Sequence, residues 1–417
     1  MRADARKRLA VVLGIRPDVI RASLILRYLR EDRSVDLRFI WSGQHYSDNL
    51  KDIFFRELDV PRADVELGVH GATDAEISAG VIARLYPVLE ELRPEAAVFL
   101  GDTNTVIGCM AAAQLNIPVV HIEGCMRSYD WRMPEEKYRT ISDHLSDRIY
   151  AYLEEYRAQG IAEGLNPNRI TVVGNPIVDV LDEYYRGRPQ RYERLASAAF
   201  FAERGLTRGE YYLMTCHRRE NVGDHASLSR VLALAGAVAR AVYFPASYRT
   251  QRMLKEFGLT LPRNVLMVNP VGYDEFLTLL VHSRGTLTDS GTVVEEACIL
   301  QVASVQMRRA TERPQVYDVG ASVKFDPSLE QSEATIAGTV EKLERLYGAR
   351  WKQPFGDGRS SRRIAEDLIA RLHGGGLGTH QPDAYHVCVT RSYRDDGLRR
   401  STIALGTSLI GLSCPTS

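Results

Sequence analysis

The stretch LAVVLGIRPDVIRASLIL, Leu9 to Leu26, decides the fold class. Its first five residues, Leu9 to Leu13, are uniformly apolar and read as a buried strand. Gly14 breaks the run, and Pro17 falls in the opening turn of a helix whose Val19, Ala22, Leu26 and Leu29 recur at three- and four-residue spacing on one face. The basic residues ahead of Leu9 imitate a secretory leader, but Gly14, Arg16 and Pro17 cut the apolar run too short for one.

Working outward, Val35 to Trp41, Ala96 to Leu100, Pro118 to Ile122 and Ile170 to Val173 repeat the buried-strand pattern, with amphipathic stretches between them. Strand, helix, strand in succession predicts a parallel sheet covered on both sides. Tyr184 to Arg194, dense in Arg, Tyr and Pro, reads as a connection, after which the alternation restarts. The second set of strands is Tyr211 to Met214, Ala241 to Phe244, Val265 to Val268, Gly285 to Leu287 and Val302 to Met307. Helical patterns follow at Ser332 to Leu346 and Ser360 to Leu372, ending in Gly374-Gly375-Gly376. The predicted division is therefore an α/β unit over 1–183, a second over 184–356, a helix near 357–373, and a tail, 374–417, without periodicity and without assigned structure. Two such units predict a cleft at the carboxyl ends of their strands.

A length of 417 residues agrees with two domains. Lys and Arg number 53 and Asp and Glu 53, so no basic field points to nucleic acid or anionic lipid, and an anionic ligand has to be held by local groups. No stretch approaches the roughly 20 apolar residues that span a bilayer, and the expected location is the cytoplasm. The six cysteines form no CxxC pair and show no zinc spacing, as expected of reduced, mostly core thiols.

Chemistry concentrates where strands end. Gly14-Ile15-Arg16-Pro17 could seat an anion at a helix start with Arg16 and Arg21 at hand, or be a plain tight turn. Gly101-Asp102-Thr103-Asn104 offers ordinary capping residues, yet the neighbouring strand, Pro118 to Ile122, ends in a second carboxylate, Glu123. Two carboxylates sharing a cleft are expected to push their pKa values apart, as acid/base work requires. Glu135 and Glu136 open a helix, where acids complement the dipole. Thr215-Cys216-His217-Arg218-Arg219 suits a phosphate, with a solvated basic turn as the alternative. Thr288-Asp289-Ser290-Gly291-Thr292 leads into a helix bearing Glu295 and Glu296, and its free N–H groups can cradle a diphosphate. Tyr273 and Phe276 offer faces for a base, although their helical spacing fits a core equally well.

Taken in order, GIRPDVIR, SGQHY, GDTNT, HIEG, RMPEEKYR, GNPIVDVL, CHRREN, TDSGTVVEEA and TERP cover nearly all of residues 9–320 and resemble the UDP-N-acetylglucosamine 2-epimerases of the non-hydrolysing type. The resemblance implies the GT-B fold, with two Rossmann-like domains whose parallel sheets face a central cleft and a final helix that returns to the first domain. It also implies a homodimer, a UDP-sugar substrate, and neither metal nor other cofactor. Asp102, Glu123, Glu135 and His217 become the catalytic candidates, and Arg16, Arg21, Arg218, Phe276, Ser290, Gly291, Thr292, Glu296 and Arg313 the substrate-binding ones. Gln44 and His45 match part of an activator site of the family, whereas Ser47 and Ser247 depart from it. Thr292, Val294 and Val271 depart as well, which blurs the fit to the sugar and base. The GQHYSDNLKDIFF and GNPIVDVL segments look closer to a branch acting on modified UDP-hexosamines. A hydrolysing epimerase and a GT-B glycosyltransferase are the competing readings.

Overall fold

The computed structural model of the chain describes residues 6–43, 57–378, 390–394 and 397–401. The first strand, β1 (Lys7–Leu13), lies between β2 (Val35–Trp41) and β4 (Ala96–Leu100) and pairs parallel with both. With β3 (Val65–Glu66), β5 (Val119–Ile122), β6 (Arg148–Ala151) and β7 (Ile170–Val172) they form a seven-stranded sheet in the order β3-β2-β1-β4-β5-β6-β7. The order reverses between β1 and β4, so the turns after Leu13 and Leu100 flank a switch point, where an open parallel sheet leaves a crevice. Gly14 is required there by space: a Cβ would collide with the side chains of Thr105 and Ser42.

The second sheet contains β8 (Tyr211–Thr215), β9 (Ala241–Pro245), β10 (Val265–Val268), β11 (Gly285–Thr288), β12 (Ser304–Met307) and β13 (Ser322–Phe325), in the order β10-β9-β8-β11-β12-β13. All of its pairings are parallel. Its switch point lies between β8 and β11, with Thr215 beside Thr288, so the turns carrying His217 and Ser290 are neighbours. The two parallel units are the arrangement that the alternation predicted.

Strands β3, β6 and β13 had no counterpart in the sequence reading. They are short, and β6 and β13 each carry a charged residue in a run of four. Arg148 in β6 is buried because its head group donates to the Asn168 carbonyl at 2.7 Å and pairs with Asp367 at 3.4 Å. The connection from Tyr184 to Arg194 is helical almost throughout, through Leu181–Arg186 and Pro189–Leu195. Its Tyr184 and Tyr192 are buried with their hydroxyls donating to the Leu58 carbonyl and to Asp274, each at 2.6 Å. Counting aliphatic residues understates such a segment, since a tyrosine ring is core once its tip is bonded.

Helix Ser360–Gly374 crosses back to the first unit and packs on helix Arg16–Glu31. The Asp179 carboxylate receives the free N–H groups of Ser360 and Ser361 at 3.1 and 2.7 Å, and Asp367 accepts from Tyr150 at 2.7 Å. In the tail, to which the sequence reading assigned no structure, Thr390–Arg394 and Gly397–Ser401 pair as an antiparallel two-stranded ribbon. No helix among the described residues is long and apolar enough to cross a membrane.

Candidate active site

The turn after β4 delivers Asp102. Capping does not occupy it: Thr103 is the N-cap of the short helix Asn104–Gly108, and the Asp102 carboxylate instead pairs with Arg139 of helix Pro134–Leu145. Burial pushes the Asp102 carboxyl up, but Arg139, Arg218 and Arg313 outweigh it and hold the group below its ordinary value. Glu123 follows β5 with φ of 76° and is 1 % exposed. Such a backbone in a non-glycine residue costs on the order of 1–3 kcal/mol and marks a conformation that its surroundings enforce. The side chain lies between Arg21 and Arg313, the latter at 3.1 Å, and accepts from the Tyr152 hydroxyl at 3.1 Å. Mutual repulsion of the two carboxylates was the expectation; guanidiniums on each are the finding.

His121 ties these turns together. Its Nδ1 lies 2.7 Å from Asp143, and its Nε2 donates to the Gly101 carbonyl at 2.8 Å. Glu135 is partly buried, 3.7 Å from Arg218. Its neighbour Glu136 does more than complement a dipole: it is buried and accepts from the N–H groups of Ser128 and Tyr129 and from the Ser128 hydroxyl. His144 lies exposed on the same helix, without a place in the cluster.

On the facing unit, Asp289 organises the turn after β8. It accepts from the backbone N–H groups of His217 at 3.0 Å and Arg218 at 2.9 Å, and from the Asn221 amide at 3.1 Å. The His217 ring stays half-exposed, its Nδ1 3.4 Å from Asp289. The sequence reading gave Asp289 no role; a carboxylate between a strand end and a capping serine was the available signal. Ser290 caps helix Gly291–Ile299, accepting from Val293 N–H at 3.3 Å, and Thr292 is partly buried in its first turn. A Cβ on Gly291 would lie 2.6 Å from Arg313 Nη1, so glycine admits that guanidinium to the helix start.

The two acids of that helix have separate duties. Glu295 pairs with Arg313 at 2.6 Å. Glu296 accepts from the Tyr273 hydroxyl at 2.8 Å, and burial lifts it to about 8. Asp18 is lifted by burial to about 7 beside Arg21, which it meets at 3.1 Å. Arg16 starts its helix partly buried, and Phe276 packs against the cluster of Phe200, Phe201, Leu213 and Ala297. Ser247 serves as the N-cap of helix Tyr248–Glu256, while Gln44, His45 and Ser47 lie outside the described residues. Burial drives the Cys125 and Cys216 thiols far up, which leaves them protonated and inert. Among the described residues no group of His, Cys, Asp and Glu could hold a metal ion.

The units meet through charge. Arg313 reaches Glu123, Arg218 approaches Glu135, Arg219 pairs with Asp74 at the exposed rim, and the Tyr156 hydroxyl donates to the Glu312 carbonyl at 3.0 Å. Carboxylates at the strand ends of one unit thus confront guanidiniums and a helix N-terminus of the other, an arrangement able to hold a polyanion while carboxylates move protons beside it.

Residues 27–369 match the sequence profile of the UDP-N-acetylglucosamine 2-epimerase family. The chain belongs to this family. It is 35% identical over 370 residues to the UDP-N-acetylglucosamine 2-epimerase of Methanocaldococcus jannaschii, an alignment covering 87% of this chain and 98% of that one. It is 30% identical over 375 residues to the UDP-2,3-diacetamido-2,3-dideoxy-D-glucuronate 2-epimerase of Pseudomonas aeruginosa, covering 87% and 99%. The crystal structure of the M. jannaschii enzyme in complex with UDP-GlcNAc and UDP superposes with a TM-score of 0.79 at 34% identity, covering 87% of this chain and 99% of that one. As an epimerase-family member the chain is an isomerase, and its two facing parallel sheets are the family's architecture.

Proposed function

We propose that the chain interconverts UDP-GlcNAc and UDP-ManNAc by inverting C2 of the sugar, with Asp102, Glu123 and Glu135 as the acid/base groups. The observation that carries the reading is the meeting of these three acids with Arg218 and Arg313 across one cleft. The C2 proton of an N-acetylhexosamine is poorly acidic, so its removal has to be coupled to loss of a leaving group. A carboxylate takes the proton, the C2–H electron pair becomes the C1=C2 double bond, and UDP departs with the pair of the C1–O bond. Return of a proton to the opposite face of the glycal and re-addition of UDP complete the inversion.

The pairing of Asp102 with Arg139 supports an anionic Asp102 at neutral pH. Arg16, Arg21, Arg218 and Arg313, with Ser290, Gly291 and Thr292 at the helix start, supply charge and N–H donors for the diphosphate. His217 stands half-exposed beside them, a suitable place from which to assist departure of the phosphate. Phe276 and Glu296 are the proposed contacts of uracil and ribose; Glu296 would then act as a neutral carboxyl below about pH 8. Among the described residues Cys109, Cys125, Cys216 and Cys298 are free and buried, which fits a cytoplasmic location, and a homodimer completes the reading on family grounds.

Incubation with UDP-GlcNAc in D₂O, followed by NMR, tests the proposal. Deuterium at C2 with UDP retained is the expected result. Deuterated free sugar would show hydrolysis instead, and incorporation only with a 2,3-diacetamido uronic sugar would move the substrate toward that of the P. aeruginosa relative. No exchange with any UDP-hexosamine would sink the assignment.

A further inference from the structure

We propose that Glu312 is a positioning residue that gathers the arginines of the anion site into one cluster, an inference that rests on the UDP-sugar reading above. Glu312 lies beyond β12 and is fully buried. Its Oε1 pairs with Arg313 Nη1 and lies 3.9 Å from both Arg139 Nη2 and Arg218 Nη2, while its Oε2 is 3.0 Å from Arg308 Nη1. One carboxylate therefore faces four guanidiniums, and Arg139 comes from the opposite unit. Burial opposes its ionisation, but the four arginines hold it well below the usual carboxylate range. From the first unit the Tyr156 hydroxyl fixes the Glu312 carbonyl.

The arginines so gathered have capacity to spare. Arg308 is 1 % exposed, yet among the described residues its Nε makes no hydrogen bond, its Nη1 meets Glu312 alone as an ion pair, and its Nη2 reaches only Met133 Sδ at 3.7 Å. Arg218 Nη1 and Arg139 Nε are likewise buried without a hydrogen-bond partner. Buried N–H groups of a cation left open in this way are costly unless an acceptor meets them, and a diphosphate offers several charged oxygens. The cluster also abuts a helix start, because the Arg313 guanidinium packs against Gly291. Without Glu312 the four guanidiniums would repel one another and splay; with it they converge.

Local charge and positioning predict opposite signs. Removing a negative charge beside a diphosphate should tighten its binding by Coulomb's law, whereas loss of the residue that orders the arginines should weaken it. The test is calorimetric titration of the full chain with UDP, for the wild type, Glu312→Gln and Glu312→Asp, with thermal unfolding recorded for each. Glu312→Gln keeps the shape and loses the charge; Glu312→Asp keeps the charge and shortens the reach. The expected result is a Kd for UDP raised about tenfold or more by Gln and by a smaller factor by Asp, with KM for the UDP-sugar rising more than kcat falls. Equal or tighter binding by folded Glu312→Gln overturns the proposal. If that variant does not fold, wild-type affinity in Glu312→Asp overturns it as well. A wild type that does not bind UDP at all would instead remove the nucleotide-sugar reading beneath it.

Discussion

The carboxyl edges of the two sheets are built alike and charged differently. Each is a parallel sheet with a switch point, β1/β4 in one and β8/β11 in the other, and each feeds short turns into helices. The first edge presents Asp102 and Glu123, backed by Glu135; the second presents His217, Arg218, Arg308 and the start of helix Gly291–Ile299. Position in the fold is thus shared, while the residues at the turns decide the chemistry. The two edges neutralise each other, Arg313 on Glu123 and Arg218 near Glu135. On the proposed function a diphosphate would compete with those carboxylates for the same guanidiniums.

The sharpest way to break this contrast is on the acidic edge. Asp102→Asn is expected to lower C2 deuterium exchange by about 10³-fold or more while leaving UDP affinity nearly unchanged, read by NMR exchange and calorimetry. Loss of folding in that variant would return Asp102 to a structural role. On the basic edge, Arg313→Met leaves Glu123, Glu295 and Glu312 each short of a buried partner. It is expected to destabilise the chain by about 3–5 kcal/mol in chemical denaturation, and a change below about 1 kcal/mol would contradict the proposed centrality of Arg313.

A third prediction concerns pH. Glu296 is raised from 4.5 to about 8, so between these values the unfolded chain has lost a proton that the folded chain keeps. Its contribution to stability is full below about pH 4.5 and is lost as pH climbs to about 8. Glu296→Gln should flatten that decline in a series of denaturation curves; an unaltered slope would show that Glu296 is ionised in the fold. The smallest effect is expected at the rim, where the pair Arg219–Asp74 joins the units in solvent. Asp74→Ala should change stability by no more than about 1 kcal/mol, and by less at high salt, because an exposed pair is screened.

Much of this is legible in the sequence. Apolar runs such as Leu9 to Leu13 and Ala96 to Leu100 mark strands because a parallel sheet covered on both faces excludes polar side chains. The short β6 and β13 escaped, since a charge such as Arg148 or Lys324 hides a strand whose burial depends on partners elsewhere. Tyr184 and Tyr192 escaped for the same reason, their rings becoming core only through Leu58 and Asp274. At the site, Asp102 and Glu123 stood out by their strand-end position. Glu136, Asp289 and Glu312 did not, because each acquires its task from groups that only folding brings near.

By itself, then, the sequence determined two parallel α/β units, the turns that carry the chemistry, and the family to which those turns belong. Only the tertiary structure decided which charge meets which. Arg313 and Glu123 stand 190 residues apart along the chain and 3.1 Å apart in space. Hydrophobic periodicity is a local property that neighbouring residues reveal, whereas an ion pair across a cleft depends on how two separately formed sheets dock, and no spacing in the chain records that.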